Sequence, residues 1–339
     1  MLEVIINIVT NPIFLWIVGA LAAGGVIMWI ASFFVASRCV YTATLRRGKK
    51  EKWSREMPRD IDPQQIPMYL AGQKWSQDHA QNKIDVHVCR DGVNLYGEYY
   101  DLGNKKCVMV LSGRTESLKY GYYFGIPYAE RGYNVLVVDP RAHGLSEGEF
   151  NTVGFEESLD DVEWVKMLVD DFGMESIVFH GICIGAAGGM LALTSGRLSE
   201  RVQGIVTEGM FANFGESMKN HMIEKRHSTF ITYPLINAWM KRYTGHSMDF
   251  GPIDVIHKLN KPLLMLHSCE DIYSTPEYAQ KLFDTAGCEN KRLVWFEHGK
   301  HSMLRITDTQ KYDSAIGEFL NSLNINSNNI NEKENNYVL

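Results

Sequence analysis

Paired cysteines are missing from this chain. Its 339 residues include six cysteines, at 39, 89, 107, 183, 269 and 288, with no CxxC pair and no metal-ligand spacing. A disulfide framework and a zinc site are thereby set aside, no metal or organic cofactor is implied, and free thiols suit a reducing compartment. An excess of basic charge is missing as well: 34 Lys and Arg stand against 40 Asp and Glu, for a net charge of −6. A nucleic-acid binder needs a basic face, so no nucleic-acid partner is expected.

Charge of either sign is absent from residues 12–36, PIFLWIVGALAAGGVIMWIASFFVA. About 20 such residues suffice to cross the hydrocarbon core as a helix. Trp16 and Trp29 lie toward its ends, where interfacial aromatics belong. The short segment 1–11 before it lacks the basic region of a secretory signal, since its one charged side chain is Glu3. Val35-Ala36-Ser37 is a passable cleavage site, which keeps a signal peptide as the rival to a retained anchor. Arg38, Arg46, Arg47, Lys49, Lys50, Lys52, Arg55 and Arg59 crowd the C-terminal flank. Basic residues near a span stay in the cytoplasm, so the expectation is a single-pass cell-membrane protein with a cytoplasmic catalytic domain. Residues 37–82 read as this basic flank and a linker or helical arm.

From 83 onward strands alternate with helices. Ile84–Cys89, Asp91-Gly92 and Val93–Tyr100 predict a hairpin. Further strands are expected at 106–111, 133–138, 176–182, 202–206, 263–267 and 293–296, with helical stretches between, which predicts a mostly parallel, doubly wound sheet. A helical insert covers about 211–250, and the Asn-rich 324–339 reads as a disordered tail.

The stretch around which the rest is organised is Ser176 to Gly189 (SIVFHGICIGAAGG). A β-branched apolar run ends at Gly181-Ile182-Cys183-Ile184-Gly185, followed by small helix-compatible residues: strand, tight turn, helix. That is the layout of a nucleophile elbow with cysteine where serine usually stands. Glycines at 181 and 185 let strand and helix pass closely, and the helix N-terminus favours a thiolate and supplies N–H groups for an oxyanion. The alternative is that Cys183 is one more small buried hydrophobe.

With this elbow, the loop Asp139-Pro140-Arg141-Ala142-His143-Gly144-Leu145-Ser146-Glu147-Gly148, and acid and histidine loops after later strands, the chain resembles the α/β-hydrolase fold family. Within it the likeness is to bacterial serine-aminopeptidase-like and esterase-like hydrolases, over residues 83–323. The resemblance implies an eight-stranded sheet with a small helical cap, here preceded by one transmembrane helix. It also implies a triad of Cys183, Asp271 (in HSCEDIY) and His301 (in EHGKHS), with oxyanion donors in the backbone N–H groups of Ile184 and Arg114. Ser112 and Ser268 depart from the family's usual His and Gly. Glu208 remains a rival acid and His298 a rival histidine; His143 reads as structural, and Glu270 as a surface carboxylate. The activity expected is acyl hydrolysis of an ester or thioester, small or lipid-like, through a thioester acyl-enzyme. Acyl transfer to an amine is the alternative, and a membrane-tethered scaffold with an idle Cys183 is the non-enzymatic one.

Overall fold

A computed structural model describes residues 9–48, 62–114 and 116–335, with side chains up to residue 323. Helix α1 (Pro12–Leu45) begins where the Asn11 side chain accepts the Ile13 N–H and proline sets the first turn. It is the one helix among the described residues long and apolar enough to cross a membrane, and its apolar part is exposed. The helix does not stop at Ala36. Ser37, Tyr41 and Leu45 recur at a spacing of four and are buried, so one stripe of the last turns is held by the folded domain. Residues 37–45, read as part of the basic flank, form the docked end of this helix. Lys49, Lys50, Lys52, Arg55 and Arg59 lie outside the described residues, as does 336–339. Helix α2 (Ile66–Asp78) lies in the stretch read as a linker or helical arm and packs so closely that a Cβ on Gly72 would stand 2.9 Å from the Tyr123 backbone nitrogen.

Eight strands form one sheet: β1 (Lys83–Arg90), β2 (Val93–Tyr100), β3 (Lys106–Leu111), β4 (Asn134–Val138), β5 (Ser176–Ile182), β6 (Val202–Glu208), β7 (Leu263–Ser268) and β8 (Lys291–Phe296). Their spatial order is β1-β2-β4-β3-β5-β6-β7-β8. The hairpin turns at Asp91 and Gly92, both with positive φ as a two-residue turn requires. Strand β2 is antiparallel to β1 and β4, and the remaining pairs are parallel. Continuous apolar runs such as 135–138 are buried on both faces because helices cover both.

Helices α3 (Leu118–Ala129), α4 (Phe155–Asp170) and α5 (Ile184–Thr194) follow β3, β4 and β5. Next come α6 (Phe214–Glu224), α7 (Thr229–Thr244), α8 (Pro252–Val255), α9 (Pro276–Thr285), α10 (Leu304–Thr307) and α11 (Thr309–Asn335). One face of the sheet packs on Trp164, Met190 and Leu282; the other packs on Phe124, Tyr128 and Tyr312. A third apolar cluster joins the cap helices α6 and α7 to Tyr41 and Leu45 of α1, with Cys183 and Ile184 at its edge. Helix α11 continues to Asn335, through residues expected to be disordered, since no Gly or Pro after Gly317 interrupts its hydrogen-bond ladder.

Candidate active site

Strand β5 delivers Cys183 into a turn with φ 52° and ψ −110°, a conformation that side chains rarely adopt. The Cys183 N–H donates to the Glu208 carbonyl at 2.9 Å, which pins the turn to the end of β6. Glycine is obligatory on both sides. A Cβ at Gly181 would stand 2.4 Å from Ala186 Cα, and one at Gly185 would stand 2.1 Å from the Leu111 carbonyl oxygen. Ile184 opens α5, so its N–H belongs to the first turn, where no helical carbonyl is available to it.

The loop after β7 holds Asp271, and the loop after β8 holds His301. Asp271 Oδ1 accepts the N–H groups of Tyr273 and Ser274, both at 2.9 Å, leaving Oδ2 to pair with His301 Nδ1 at 2.6 Å. Gly209, just past β6, gives the imidazole its space: a Cβ there would lie 2.9 Å from His301 Cε1. The other neighbour of His301 is Cys183, close enough for its charge to act on the imidazole. Burial pulls the imidazole pKa down, but the charges of Cys183 and Asp271 and the hydrogen bond to Asp271 carry it well above the ordinary histidine value. Burial pushes the Asp271 carboxyl up, and His301 outweighs that and holds it below the usual value. Cys183, His301 and Asp271 are thus contiguous, all at the carboxyl ends of strands.

A family model for the alpha/beta hydrolase fold matches residues 106–225. The esterase Pf2001 of Pyrococcus furiosus superposes with a TM-score of 0.60 at 24% identity, covering 73% of this chain and 95% of that one. An alpha-beta hydrolase of Vibrio vulnificus superposes with a TM-score of 0.55 at 16% identity, covering 81% and 99%. The chain has the α/β-hydrolase fold. The protein YqkD of Bacillus subtilis (strain 168) is 28% identical over 221 residues, which cover 64% of this chain and 70% of YqkD.

Within this hydrolase fold the two rivals stand elsewhere. Glu208 is fully buried, accepts the Leu304 N–H at 2.9 Å and is bonded by the Tyr312 hydroxyl at 2.6 Å, so its oxygens are committed to holding α10 and α11. His298 is exposed and pairs with Glu270 at 3.0 Å, away from Cys183. His143 is buried with Nδ1 at 2.9 Å from the Arg141 carbonyl, and burial pushes its pKa down to about 4. The Asp139–Gly148 loop is tied by Asp139, which accepts the N–H groups of Leu118 and Leu145. A cavity bordered by Asp139, Arg141, Asp160 and Trp164 lies behind Ile184 and Gly185, beneath the elbow, and does not include Cys183.

Three features of the site escaped the sequence reading. Glu116 accepts the Gly113 N–H at 3.1 Å, and a Cβ on Gly113 would lie 2.7 Å from that carboxylate and 3.7 Å from Cys183 Cβ. Burial raises the Glu116 pKa to about 7, against the Gly113 N–H and the positive charges of His301 and Arg114. Arg114 brings its guanidinium as well as its backbone: it donates to the Thr44 carbonyl at 3.3 Å and interacts with Cys183, Glu116 and Tyr273. The end of α1 is the third, since Tyr41 and Leu45 share an apolar cluster with Cys183. No local motif signals any of them; each is brought in by long-range packing.

Proposed function

We propose that this chain is a membrane-anchored acyl hydrolase of the esterase or thioesterase type, with Cys183 as nucleophile, His301 as acid and base, and Asp271 as the residue that orients His301. The observation that carries it is His301 standing between Asp271, at 2.6 Å, and a Cys183 held in a strained elbow. The esterase Pf2001, which shares the fold, supports the reaction class.

In the proposed mechanism Asp271 fixes the Nδ1–H tautomer, and Nε2 takes the thiol proton. The thiolate attacks the acyl carbonyl, forming a C–S bond, while the oxyanion is met by the N–H groups of Ile184 and Arg114. Collapse expels the alcohol or thiol, which takes its proton from His301. Water, deprotonated by His301, then releases the acid and restores the thiol. The Cys183 side borders an apolar cap cluster of Met218, Met222 and Tyr233, which suits an apolar acyl chain. Helix α1 supplies the anchor, and Arg38, Arg46 and Arg47 beyond its apolar part support a cytoplasmic domain.

The test is intact-mass spectrometry of the full-length chain exposed to a panel of acyl esters and thioesters. Acylation mapped to Cys183, with turnover lost in a folded Cys183→Ala variant, is the expected outcome. A wild-type chain that never acylates there across the panel would make Cys183 idle.

A further inference from the structure

Helix α7 has a tip that the folded domain leaves uncovered. Phe230 is 87% exposed, Ile223 63% and Ile231 37%, at the turn where α6 passes into α7. Between them stand Lys225, Arg226 and His227, all exposed. The one acidic group of the turn, Glu224, is engaged by the Tyr273 hydroxyl at 3.2 Å and lies 3.6 Å from His221. The turn itself is ordered by backbone bonds from Arg226 to Ile223 and from His227 to Met222, at 2.9 and 2.8 Å. Its surface is therefore apolar and basic together.

The contacts between α1 and α7 say which way this tip points. Trp239 meets the Phe34 ring with centroids 5.7 Å apart, and its indole N–H donates to Ser37 Oγ at 3.1 Å. Further along both helices, Tyr243 stacks on Tyr41 at 5.6 Å. Contacts advance together from 34 to 41 and from 239 to 243, so the two helices run in the same sense. The N-terminus of α7 consequently points the way the free apolar part of α1 points. From Trp239 back to Phe230 is about 13 Å along a helix axis. The free part of α1, 12–33, has a length of about 33 Å, close to the hydrocarbon thickness.

We infer that the α6–α7 turn is a second membrane contact: Ile223, Phe230 and Ile231 dip below the headgroups into the acyl chains beside α1, and Lys225 and Arg226 extend back from the turn toward anionic phospholipid. The arrangement of basic and large apolar side chains on one short surface is that of an interfacial segment. The inference rests on α1 being a retained membrane anchor. Its consequence is that the bilayer abuts the cap whose inner face, through Met222 and Tyr233, shares a cluster with Cys183.

The full-length chain, reconstituted in vesicles of phosphatidylcholine and phosphatidylglycerol, would carry photoreactive p-benzoylphenylalanine in place of Phe230 or, as a control, of Ile27 inside the apolar run. Lipid adducts at both positions, with those at 230 falling several-fold when phosphatidylglycerol is omitted, are expected. Adducts at 27 alone, with 230 reacting with a second copy of the chain or with nothing, overturn the inference and leave the anchor standing. Lipid adducts at neither position overturn the anchor and the inference together. In a second measurement, the paired substitutions Phe230→Asp and Lys225→Glu should lower turnover of a vesicle-dissolved ester on the order of tenfold and leave a short water-soluble ester unaffected. An equal loss on both esters would mean that the turn serves only to support the cap.

Discussion

At the scale of single residues, the two acids near His301 can be told apart by what they touch. Asp271 Oδ2 faces His301, whereas both Glu208 oxygens accept hydrogen bonds from Leu304 and Tyr312. Asp271→Asn should lower kcat by about ten-thousandfold, as loss of the correct tautomer does in serine triads. Glu208→Gln should cost about 1–3 kcal/mol of stability through weakened buried bonds, with turnover per folded molecule retained. Steady-state kinetics beside chemical denaturation separates the two. The pair His301–Asp271 also carries a pH window. Its stabilisation from His301 is present below the ordinary histidine pKa and is lost as pH rises through the raised value. Its stabilisation from Asp271 is present above the ordinary aspartate pKa and is lost as pH falls through the lowered one. Glu116 has the opposite sense. Its pKa, raised to about 7, means the fold disfavours its ionised form, so stability is lost as pH climbs from the ordinary glutamate range through 7. Glu116→Gln should therefore gain more in melting temperature at pH 8 than at pH 5. The same substitution should remove a step near pH 7 from the pH–rate profile, because a carboxylate beside Gly113 opposes a developing oxyanion. Equal gains at both pH values would discount the charge.

At the scale of the element, the elbow is a strand and a helix forced together at a strained residue. The positive φ of Cys183 is a cost borne by the rest of the fold, typically about 1–3 kcal/mol. Cys183→Gly removes that strain and Cys183→Ala keeps it. The glycine variant should melt above the alanine variant by about 2–4 °C per kcal/mol of strain relieved, even though glycine is the more flexible residue unfolded. Alanine melting higher would mean that the turn is not strained. Gly185→Ala meets backbone rather than a movable side chain, with the Leu111 carbonyl 2.1 Å away. It should prevent accumulation of folded protein, which a solubility and circular-dichroism assay of the purified chain would register.

At the scale of the whole molecule, the apolar N-terminal helix and the α/β-hydrolase fold are one packed object. The C-terminal end of α1 is clamped to the loop before α4: Arg47 N–H donates to the Glu149 carbonyl at 2.8 Å, its guanidinium reaches the Gly144 and Ser146 carbonyls, and Asn151 N–H donates to Leu45. Tyr41 is the keystone, packed against both Phe150 and Tyr243, which also stack on each other. Its buried hydroxyl meets no hydrogen-bond partner among the described residues. Tyr41→Phe should consequently stabilise the chain by about 1 kcal/mol, while Tyr41→Ala should cost about 3–5 kcal/mol. A chain starting at residue 37 should keep most of the stability that one starting at residue 48 loses. Thermal melts in one detergent compare all four, and equal melting of the two truncations would show that the docked end of α1 adds no stability.

The sheet, the hairpin at Asp91-Gly92, the elbow glycines and the apolar run were legible because each is written in contiguous residues. Period, turn chemistry and uninterrupted hydrophobicity act over a few positions, so the chain alone determined the fold class and marked Cys183 as the residue in the elbow, while Asp271 and His301 came from the resemblance. The resemblance to a known family then supplied the chain order that separated Asp271 from Glu208. What only tertiary structure decided has no such local carrier. Glu116 reaches the site because a loop folds back on Gly113; Tyr41 and Leu45 reach it because a helix that reads as ending at Ala36 finds a groove against Trp239 and Phe150. Nothing in 37–45 announces that docking, since a stripe at every fourth position is filled by Ser37, Tyr41 and Leu45, a set too mixed to read as a buried face. Burial of those residues is a property of the partner surface, assembled from segments a hundred and two hundred positions away, and a partner surface exists only once the chain has folded.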